Sequence, residues 1–263
     1  MTKRLRLDAE LVRRGLSSSR SEAQSSIDQG LVTVRGVPAS RAATLVDAET
    51  PIALMGEAKR FVSRGGEKLD GGLDRLGIRV EGRWLDAGAS TGGFTDCLLQ
   101  RGADEVAAVD VGYGQLEWGL RNDPRVTVIE RKNVRELSPG DLPWTPDGVV
   151  ADLSFISLTL VLPALERVAG PATSYLLLVK PQFEVGRDSV SKGGVVRDKE
   201  LWRTAVMKVV DGAASLGLGT VGVTHSDPPG PAGNREFFVA LKRGADQDLS
   251  GLDEVIDGAE ALT

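Results

Sequence analysis

Seven short apolar segments separated by polar or helix-patterned stretches define the chain from residue 83 onward. They predict β-strands over residues 84–85, 105–109, 126–129, 149–151, 175–179, 220–224 and 237–241. Helical patterns lie between the early strands, and near-continuous apolar strands are typical of a parallel sheet covered by helices on both faces. Residues 225–236 are rich in Pro and Gly, which predicts a terminal hairpin and one antiparallel strand at the end of the sheet.

The first 56 residues carry a different pattern. Apolar positions at helical spacing predict a helix within residues 4–16 and a second over residues 20–29, with Ser18 or Ser19 as its cap and Gly30 as its stop. Short strands follow, so residues 1–56 form a small α+β domain. Residues 57–66 are interpreted as a linker, because Gly65 and Gly66 disfavour regular structure. Helical spacing resumes over residues 67–76, and residues 67–263 form the large domain.

Composition narrows the class of protein. The chain has 263 residues, of which 41% are hydrophobic, enough for a substantial core. Its apolar runs are far shorter than the roughly 18 residues a membrane span needs, and no apolar stretch follows the charged N-terminus to make a signal peptide. Cys97 is the single cysteine and His225 the single histidine. We therefore expect a cytoplasmic location, no disulfide, no metal and no membrane partner.

Charge is distributed unevenly along the chain. Residues 1–60 hold ten basic and seven acidic residues, a net charge of +3, whereas the remainder carries −8. A basic head on an acidic body favours a polyanionic partner for the head.

A glycine-rich loop follows the first predicted strand of the large domain. Asp86 ends that strand, Gly88, Gly92 and Gly93 follow, and an apolar-periodic segment begins at Phe94. The position where a dinucleotide-binding loop has its second glycine is Ser90, so the pyrophosphate pattern fails. A carboxylate in such a loop suits a ligand with cationic and hydroxyl groups, such as S-adenosylmethionine. The alternative is an ordinary strand-to-helix turn.

Polar residues stand at the ends of the other predicted strands, where open α/β sheets bind their ligands. Asp110 lies 22 residues after Gly88, the distance at which an acidic side chain meets ribose hydroxyls, although it could instead cap a helix. Asn133 is a candidate contact for adenine. Asp152 and Lys180 end two further strands, and Glu236 begins the last.

Two lysines and two carboxylates, Lys68, Asp152, Lys180 and Glu236, form the candidate catalytic set. A ribose 2′-hydroxyl is a poor acid, and a lysine can accept its proton only where neighbouring positive charge destabilises the ammonium form. The carboxylates would orient the amines. The prolines that usually follow Asp in amino-directed base methyltransferases are missing after Asp152, which argues against an exocyclic amine as target.

The order Arg-Leu-Asp, Leu-Val, Gly-Leu, Ser-Arg, Ala, Ile, Gly and Val-x-Val over residues 6–34 resembles the S4 domain, a small RNA-binding module. In S4 domains, basic residues flanking the two helices meet the RNA backbone. The resemblance therefore implies RNA contacts at Arg4, Arg6, Arg13, Arg14 and Arg20. Further basic candidates are Lys59, Arg60 and Arg64 near the linker, and Arg187 and Lys192 in the polar segment 186–194.

The Lys, Asp, Lys, Glu order, together with Asp-Ala-Gly-Ala-Ser-Thr-Gly-Gly-Phe at residues 86–94, is similar to ribose 2′-O-methyltransferases of the FtsJ type. With the runs at residues 151–157, 178–184 and 233–238, the chain resembles the TlyA family over roughly residues 3–243. The resemblance implies a Rossmann-like class I methyltransferase fold and S-adenosylmethionine-dependent 2′-O-methylation of cytidine in 16S or 23S rRNA of ribosomal subunits, affecting capreomycin and viomycin sensitivity. DNA is not an expected partner.

The implied cofactor contacts are Asp86, Gly88, Ser90, Thr91, Gly92, Gly93, Phe94, Asp110, Asn133 and Asp152. Two alternatives remain open: an RNA-binding protein with an inactive methyltransferase fold, and a membrane-active protein, since the family has carried a haemolysin label. No apolar span supports the second.

Overall fold

A computed structural model describes residues 4–28, 30–55, 60–186, 189–191, 193–230 and 232–261. The chain divides into two compact units, Met1–Ala58 and Lys59–Thr263. Each unit has its own hydrophobic core.

The first unit packs two helices against short strands. Its elements are β1 (Leu5–Arg6), α1 (Leu7–Arg13), α2 (Arg20–Asp28), β2 (Val32–Val34), β3 (Val37–Pro38), β4 (Leu45–Val46) and β5 (Ile52–Leu54). The prediction of helix from residue 4 was wrong at its start, because Leu5 and Arg6 pair with β4. Gly30 follows α2 with a φ of +71°, as expected of a glycine stop.

The second unit is an open sheet with helices on both faces. Its strands are β6 (Arg83–Ala87), β7 (Glu105–Val109), β8 (Val126–Ile129), β9 (Gly148–Ala151), β10 (Ser174–Val179), β11 (Leu218–His225) and β12 (Phe237–Arg243). Its helices are α3 (Arg64–Arg75), α4 (Gly93–Gln100), α5 (Trp118–Arg121), α6 (Leu162–Val168), α7 (Pro181–Glu184), α8 (Lys199–Ala214) and α9 (Leu252–Ala261). The predicted strands are confirmed.

The strand order is β11-β12-β10-β9-β6-β7-β8. Every neighbouring pair is parallel except those of β12, which runs antiparallel to both β10 and β11. The antiparallel strand is therefore second from the edge and not at the end of the sheet, because its hairpin partner β11 takes the edge position. The mostly parallel, seven-stranded, Rossmann-like fold is confirmed.

Residues 60–66 belong to the second unit. Phe61 is buried in its core, and the Val62 amide donates to Asp96 at 2.8 Å. The prediction that Gly65 and Gly66 lie outside regular structure was wrong, since α3 begins at Arg64 with Ser63 as its cap. A Cβ at Gly66 would collide with the Phe61 ring, so this glycine permits close packing inside a helix.

Candidate active site

The glycine loop, residues 87–93, joins β6 to α4 and requires glycine for two reasons. Gly88 and Gly92 have φ values of +91° and +98°, a region that favours glycine. A Cβ on Gly88 would also lie 2.6 Å from the backbone oxygen of Asp152. The loop is therefore held directly against the end of β9, where Asp152 begins the next polar segment.

Asp110 connects this loop to the one after β7. Its Oδ2 accepts from the Ser90 amide at 2.8 Å, and its Oδ1 accepts from the Gly112 amide at 2.6 Å. Ser90 adopts a φ of +49° to make its contact. Beside them is a small cavity lined by Ala89, Ser90, Ala108, Asp110, Gly112, Gln115, Leu116, Val128 and Glu130. The lining combines apolar side chains with two carboxylates, Asp110 and Glu130.

Asp86 lies beneath the glycine loop and is fully buried. Its Oδ2 accepts from the Thr95 hydroxyl at 2.7 Å, whereas its Oδ1 has no hydrogen-bond partner among the described residues. Burial raises the pKa of Asp86 to about 7, and the charges of Asp152 and Asp110 add to the effect. A buried carboxylate oxygen without a partner, next to the glycine loop, indicates that a hydrogen-bond donor from outside the described residues belongs there.

Lys180 and Asp152 form an ion pair at the ends of β10 and β9. The Lys180 Nζ approaches Asp152 Oδ1 without hydrogen-bond geometry and donates to the Ser154 hydroxyl at 3.2 Å. Pro181 begins α7 immediately after Lys180, which fixes the backbone direction there. The amine is thus partly accessible and held beside the glycine loop through Asp152.

Lys68 and Glu236 form a second pair, on α3 and at the start of β12. The Lys68 Nζ donates to Glu236 Oε2 at 2.6 Å, and the two side chains are 7% and 1% exposed. Close packing of α3 on the sheet makes this contact possible, since a Cβ at Gly72 would come 2.7 Å from the Phe238 ring.

The sheet register makes the two pairs neighbours. Val179 of β10 lies opposite Phe237 of β12, so Lys180 and Glu236 are at adjoining positions just beyond the last paired residues. β9, which carries Asp152, pairs with β10 on its other side. All four residues of the candidate catalytic set therefore lie at the carboxyl ends of the parallel strands, next to the glycine loop. Lys68, on α3, is held there by its ion pair with Glu236.

Three predicted cofactor residues have other surroundings. The Phe94 side chain is buried in the core, 6.1 Å from the Phe238 ring between centroids, so only its backbone is available to a ligand. Thr91 is exposed on the glycine loop. Asn133 is exposed, caps a 3₁₀ turn by accepting from the Arg135 amide at 3.1 Å, and is not part of the cavity lining. Its role toward adenine stays a prediction.

The basic candidates of the second unit are engaged within the protein. Arg60 pairs with Asp70 and stacks on the Phe61 ring, 4.7 Å from its centroid. Arg64 donates to the Pro229 carbonyl at 2.7 Å and is otherwise exposed. Lys59, Arg187 and Lys192, also predicted to contact RNA, lie outside the described residues.

In the first unit, buried carboxylates organise the predicted RNA-binding arginines. Asp8 accepts from Arg6 at 3.1 Å and Arg20 at 2.9 Å, and the hydrogen bond from Arg6 is the main reason that the pKa of Asp8 lies well below its usual range. Both guanidiniums remain about half exposed. Arg4 is exposed.

Glu10 organises the other two arginines in the same way. Its hydrogen bonds from Arg13, and then from Arg14, lower the pKa of Glu10 to about 2 despite burial. Arg13 is about half exposed. Arg14 also donates to the carbonyls of Thr50, Asp47 and Ala48, so its guanidinium joins elements of this unit. Nε, Nη1 and Nη2 of Arg14 therefore all donate hydrogen bonds within this unit, which leaves few donors for RNA.

Two residues near the catalytic set were missed by sequence reasoning. Phe155 has a φ of +65°, is 92% exposed and packs against Phe183, 5.3 Å between ring centroids. The sequence signal for Phe155 is an aromatic residue three positions after Asp152, without the prolines that accompany it in amino-directed methyltransferases. Arg235 is buried beside Glu236, and nothing in the local sequence indicates that.

Two kinds of feature are absent from the described part of the chain. No group of three His, Cys, Asp or Glu side chains is placed to hold a metal ion. Likewise, no helix there is long and apolar enough to cross a membrane.

Comparison with known proteins agrees with this architecture. Residues 61–243 match the FtsJ-like methyltransferase family, and residues 5–52 match the S4 domain. A Mycobacterium tuberculosis protein named 16S/23S rRNA (cytidine-2′-O)-methyltransferase TlyA is 51% identical over 98% of both chains. A Bacillus subtilis protein named putative rRNA methyltransferase YqxC is 41% identical, covering 91% of this chain and 86% of its own.

A solved structure described as a putative hemolysin from Streptococcus thermophilus superimposes with a TM-score of 0.77, at 37% identity, covering 99% of this chain and 97% of its own. Sheet, glycine loop and strand-end residues thus define an FtsJ-like methyltransferase with an S4 domain before it. Within that class, the chain belongs to the TlyA family.

Proposed function

We propose that this protein transfers a methyl group from S-adenosylmethionine to the ribose 2′-hydroxyl of a cytidine in rRNA. The observation that carries the proposal is the arrangement of two lysine–carboxylate pairs on adjoining strand ends beside the glycine loop. Cytidine and rRNA come from the name of the Mycobacterium tuberculosis relative, which is similar over nearly its whole length. The S4 domain supports an RNA substrate.

The residues around the glycine loop fit S-adenosylmethionine. Asp86 Oδ1 lacks a donor among the described residues, and Asp110, at the end of β7, lines a small cavity together with apolar side chains such as Ala108 and Val128. These features support a ribose-binding role for Asp110. When bound, this cofactor supplies an electrophilic methyl group on a positively charged sulfur. Asp86, Gly88, Ser90, Asp110 and Asp152 would hold it, with backbone contacts from Thr91, Gly92, Gly93 and Phe94.

Lys180 is the residue that we assign as the proton acceptor for the substrate 2′-hydroxyl. Asp152 and Ser154 fix the position of its Nζ, and the second ammonium at Lys68 is kept in place by Glu236. Lys180, acting as the neutral amine, would accept the proton that the 2′-hydroxyl loses, and the cofactor would supply the methyl group that takes the place of that proton. Rigid placement of the amine contributes most, because methyl transfer depends on alignment of oxygen, carbon and sulfur.

An rRNA substrate places the reaction in the cytoplasm, and intact ribosomal subunits are the proposed partner. Three proteins test the proposal: the native protein, the variant Lys180→Ala, and the control variant Lys242→Ala. Lys242 is exposed near the end of β12, opposite Ser174 at the start of β10, so it lies at the other end of the strands from Lys180.

The assay measures tritium transfer from labelled S-adenosylmethionine to ribosomal subunits from a strain lacking the enzyme. We expect full labelling by the native protein and Lys242→Ala, and a loss of about 100-fold or more in Lys180→Ala, since a positioned proton acceptor contributes on that order. Cofactor affinity should change less than a few-fold. Absence of label with the native protein would refute the enzymatic function and leave an inactive RNA-binding fold. Equal loss of cofactor binding and transfer in Lys180→Ala would make the residue structural.

A further inference from the structure

Arg235 is a buried cation with no partner among the residues that the structure describes. Its residue surface is only 6% exposed, yet its guanidinium makes no hydrogen bond or ion pair with any described residue. Nε in particular has no access to solvent. The other deeply buried ionic groups differ: Asp8, Glu10, Lys68, Glu184 and Glu236 all have hydrogen-bonding partners.

The position of Arg235 is fixed on both sides. Asn234 before it accepts from the Val196 amide at 2.9 Å and donates to the Gly194 carbonyl at 2.9 Å. Glu236 after it accepts from Lys68 through its side chain and from the Ser226 amide through its carbonyl at 2.8 Å. The Arg235 backbone is therefore held between two anchored residues, although its guanidinium has no partner in the described part of the chain.

An unpaired buried charge destabilises the folded state. Removing a charged group from water is unfavourable unless ion pairs and hydrogen bonds replace the lost hydration. Arg235 adds to the lowering of the pKa of His225, which burial and then Arg75 cause and which Asp227 opposes, so a second cation lies near this group. A buried polar group left without a partner calls for an explanation, and a bound ligand is one.

We propose that Arg235 binds a phosphodiester group of the RNA, next to the ribose that is methylated. The inference rests on the proposed function and adds a substrate-positioning residue to it. Arg235 precedes Glu236, and Glu236 and Lys180 are the residues just beyond the last strand pair, Phe237 with Val179. Arginine presents planar donors that match the oxygens of a phosphate.

The strand order favours an RNA phosphate over the carboxylate of the cofactor. β12 is adjacent to β10, which ends at Lys180, but two strands, β10 and β9, separate it from β6 and the glycine loop. At about 4.8 Å per strand, the β12 backbone is one strand from β10 and about 14 Å from β6, the strand before the glycine loop. The phosphates on either side of a ribose lie within a few ångströms of its 2′-oxygen, so an anion near Arg235 would belong to the substrate.

The test uses the full-length protein and two substitutions, Arg235→Met and Arg235→Lys. Met keeps the apolar volume and removes the charge, whereas Lys keeps the charge. Arg79→Met is the matched control, because Arg79 is exposed in the segment that precedes β6, at the amino ends of the parallel strands and away from Lys180. Measurements are the KM for ribosomal subunits, its salt dependence, the Kd for S-adenosylmethionine and the melting temperature.

For Arg235→Met we expect a KM for rRNA raised about tenfold and a salt slope reduced by about 0.7 to 0.9, the value of one phosphate contact. Its melting temperature should be unchanged or higher, because an unpaired buried charge has been removed. Cofactor Kd should stay at the native value, and Arg235→Lys should recover part of the KM.

Three results would overturn this role while leaving the proposed function intact. They are a native KM and slope in Arg235→Met, a selective loss of cofactor affinity, and a lower melting temperature that fully explains lost activity. Failure of the native protein to methylate rRNA would instead refute the proposed function itself.

Discussion

The buried ion pair between Lys68 and Glu236 allows a sharp test of how the active-site edge is held together. Breaking a buried pair by removing one partner leaves an uncompensated charge and typically costs about 3 to 5 kcal/mol. Both side chains are more than 90% buried and the Nζ–Oε2 distance is 2.6 Å, so this pair falls in that class. We expect Lys68→Met to lower the stability of the second unit by that amount.

The chain provides its own probe for this measurement. All four tryptophans, Trp84, Trp118, Trp144 and Trp202, lie in the second unit, so tryptophan fluorescence during urea or thermal unfolding reports that unit alone. For a domain of this size, 3 to 5 kcal/mol corresponds to a melting temperature lower by about 6 to 20 °C.

Two further variants make the experiment decisive. In Lys68→Met with Glu236→Leu, neither charge of the pair remains, so much of the loss should be recovered. Lys132→Met serves as control, because its ion pair with Asp141 is equally close at 2.8 Å but partly exposed, and it should change stability by at most about 1 kcal/mol. A Lys68→Met protein within 1 kcal/mol of native, or a double variant no more stable than Lys68→Met, would refute the reasoning.

Three more predictions address the loop, Asp86 and the S4 domain. Gly88→Ala should destabilise the second unit by about 2 kcal/mol or more and weaken cofactor binding in calorimetry, whereas Gly114→Ala, with a φ of +69° and open space around it, should cost only about 1 kcal/mol. Burial raises the pKa of Asp86 to about 7, so between about pH 4 and 7 the carboxyl ionises in the unfolded protein but not in the folded one, and the native protein loses stability as pH rises. Asp86→Asn lacks this loss, so its stability relative to native should increase by up to about 4 kcal/mol over that range. A constant difference between the two proteins would contradict this. Arg6→Ala with Arg20→Ala should weaken rRNA binding and reduce the salt slope by about 0.7 to 0.9 for each lost phosphate contact, and an unchanged slope would remove these arginines from the interface.

Much of the sheet could be predicted from hydrophobic pattern alone. Strands such as β7 and β8 are continuous apolar runs, and each was predicted at its observed bounds. Strand-end residues were also predictable, because the carboxyl ends of parallel strands meet at one edge. Asp110, Asp152 and Lys180 follow from that rule and from the resemblance to a known family.

The errors arose where packing between distant segments decides the outcome. Gly65 and Gly66 indicate a loop by composition, but the Phe61 ring against Gly66 and the Ser63 cap make the segment the first turn of α3. Similarly, the pattern at Leu5 continues that of a helix, yet pairing with β4 makes it a strand.

Burial of polar groups was equally hidden from the sequence. Arg14 reads as a surface arginine, and only the fold shows that it bonds three carbonyls near residue 50. Arg235 stands in a polar, glycine-rich stretch, where an exposed side chain would be expected. Its burial depends on contacts with distant segments, such as those that anchor Asn234 to Gly194 and Val196, and periodicity does not predict these.

The most direct test of the chemistry is the identity of the methylated nucleoside. Ribosomal subunits from a strain lacking the enzyme are incubated with the protein and S-adenosylmethionine, the rRNA is digested to nucleosides, and the product is identified by mass spectrometry. If Lys180 serves a ribose hydroxyl as proposed, the new product is 2′-O-methylcytidine and its base fragment carries no added methyl group. A methyl group on the base, or no new methylated nucleoside, would contradict the assignment.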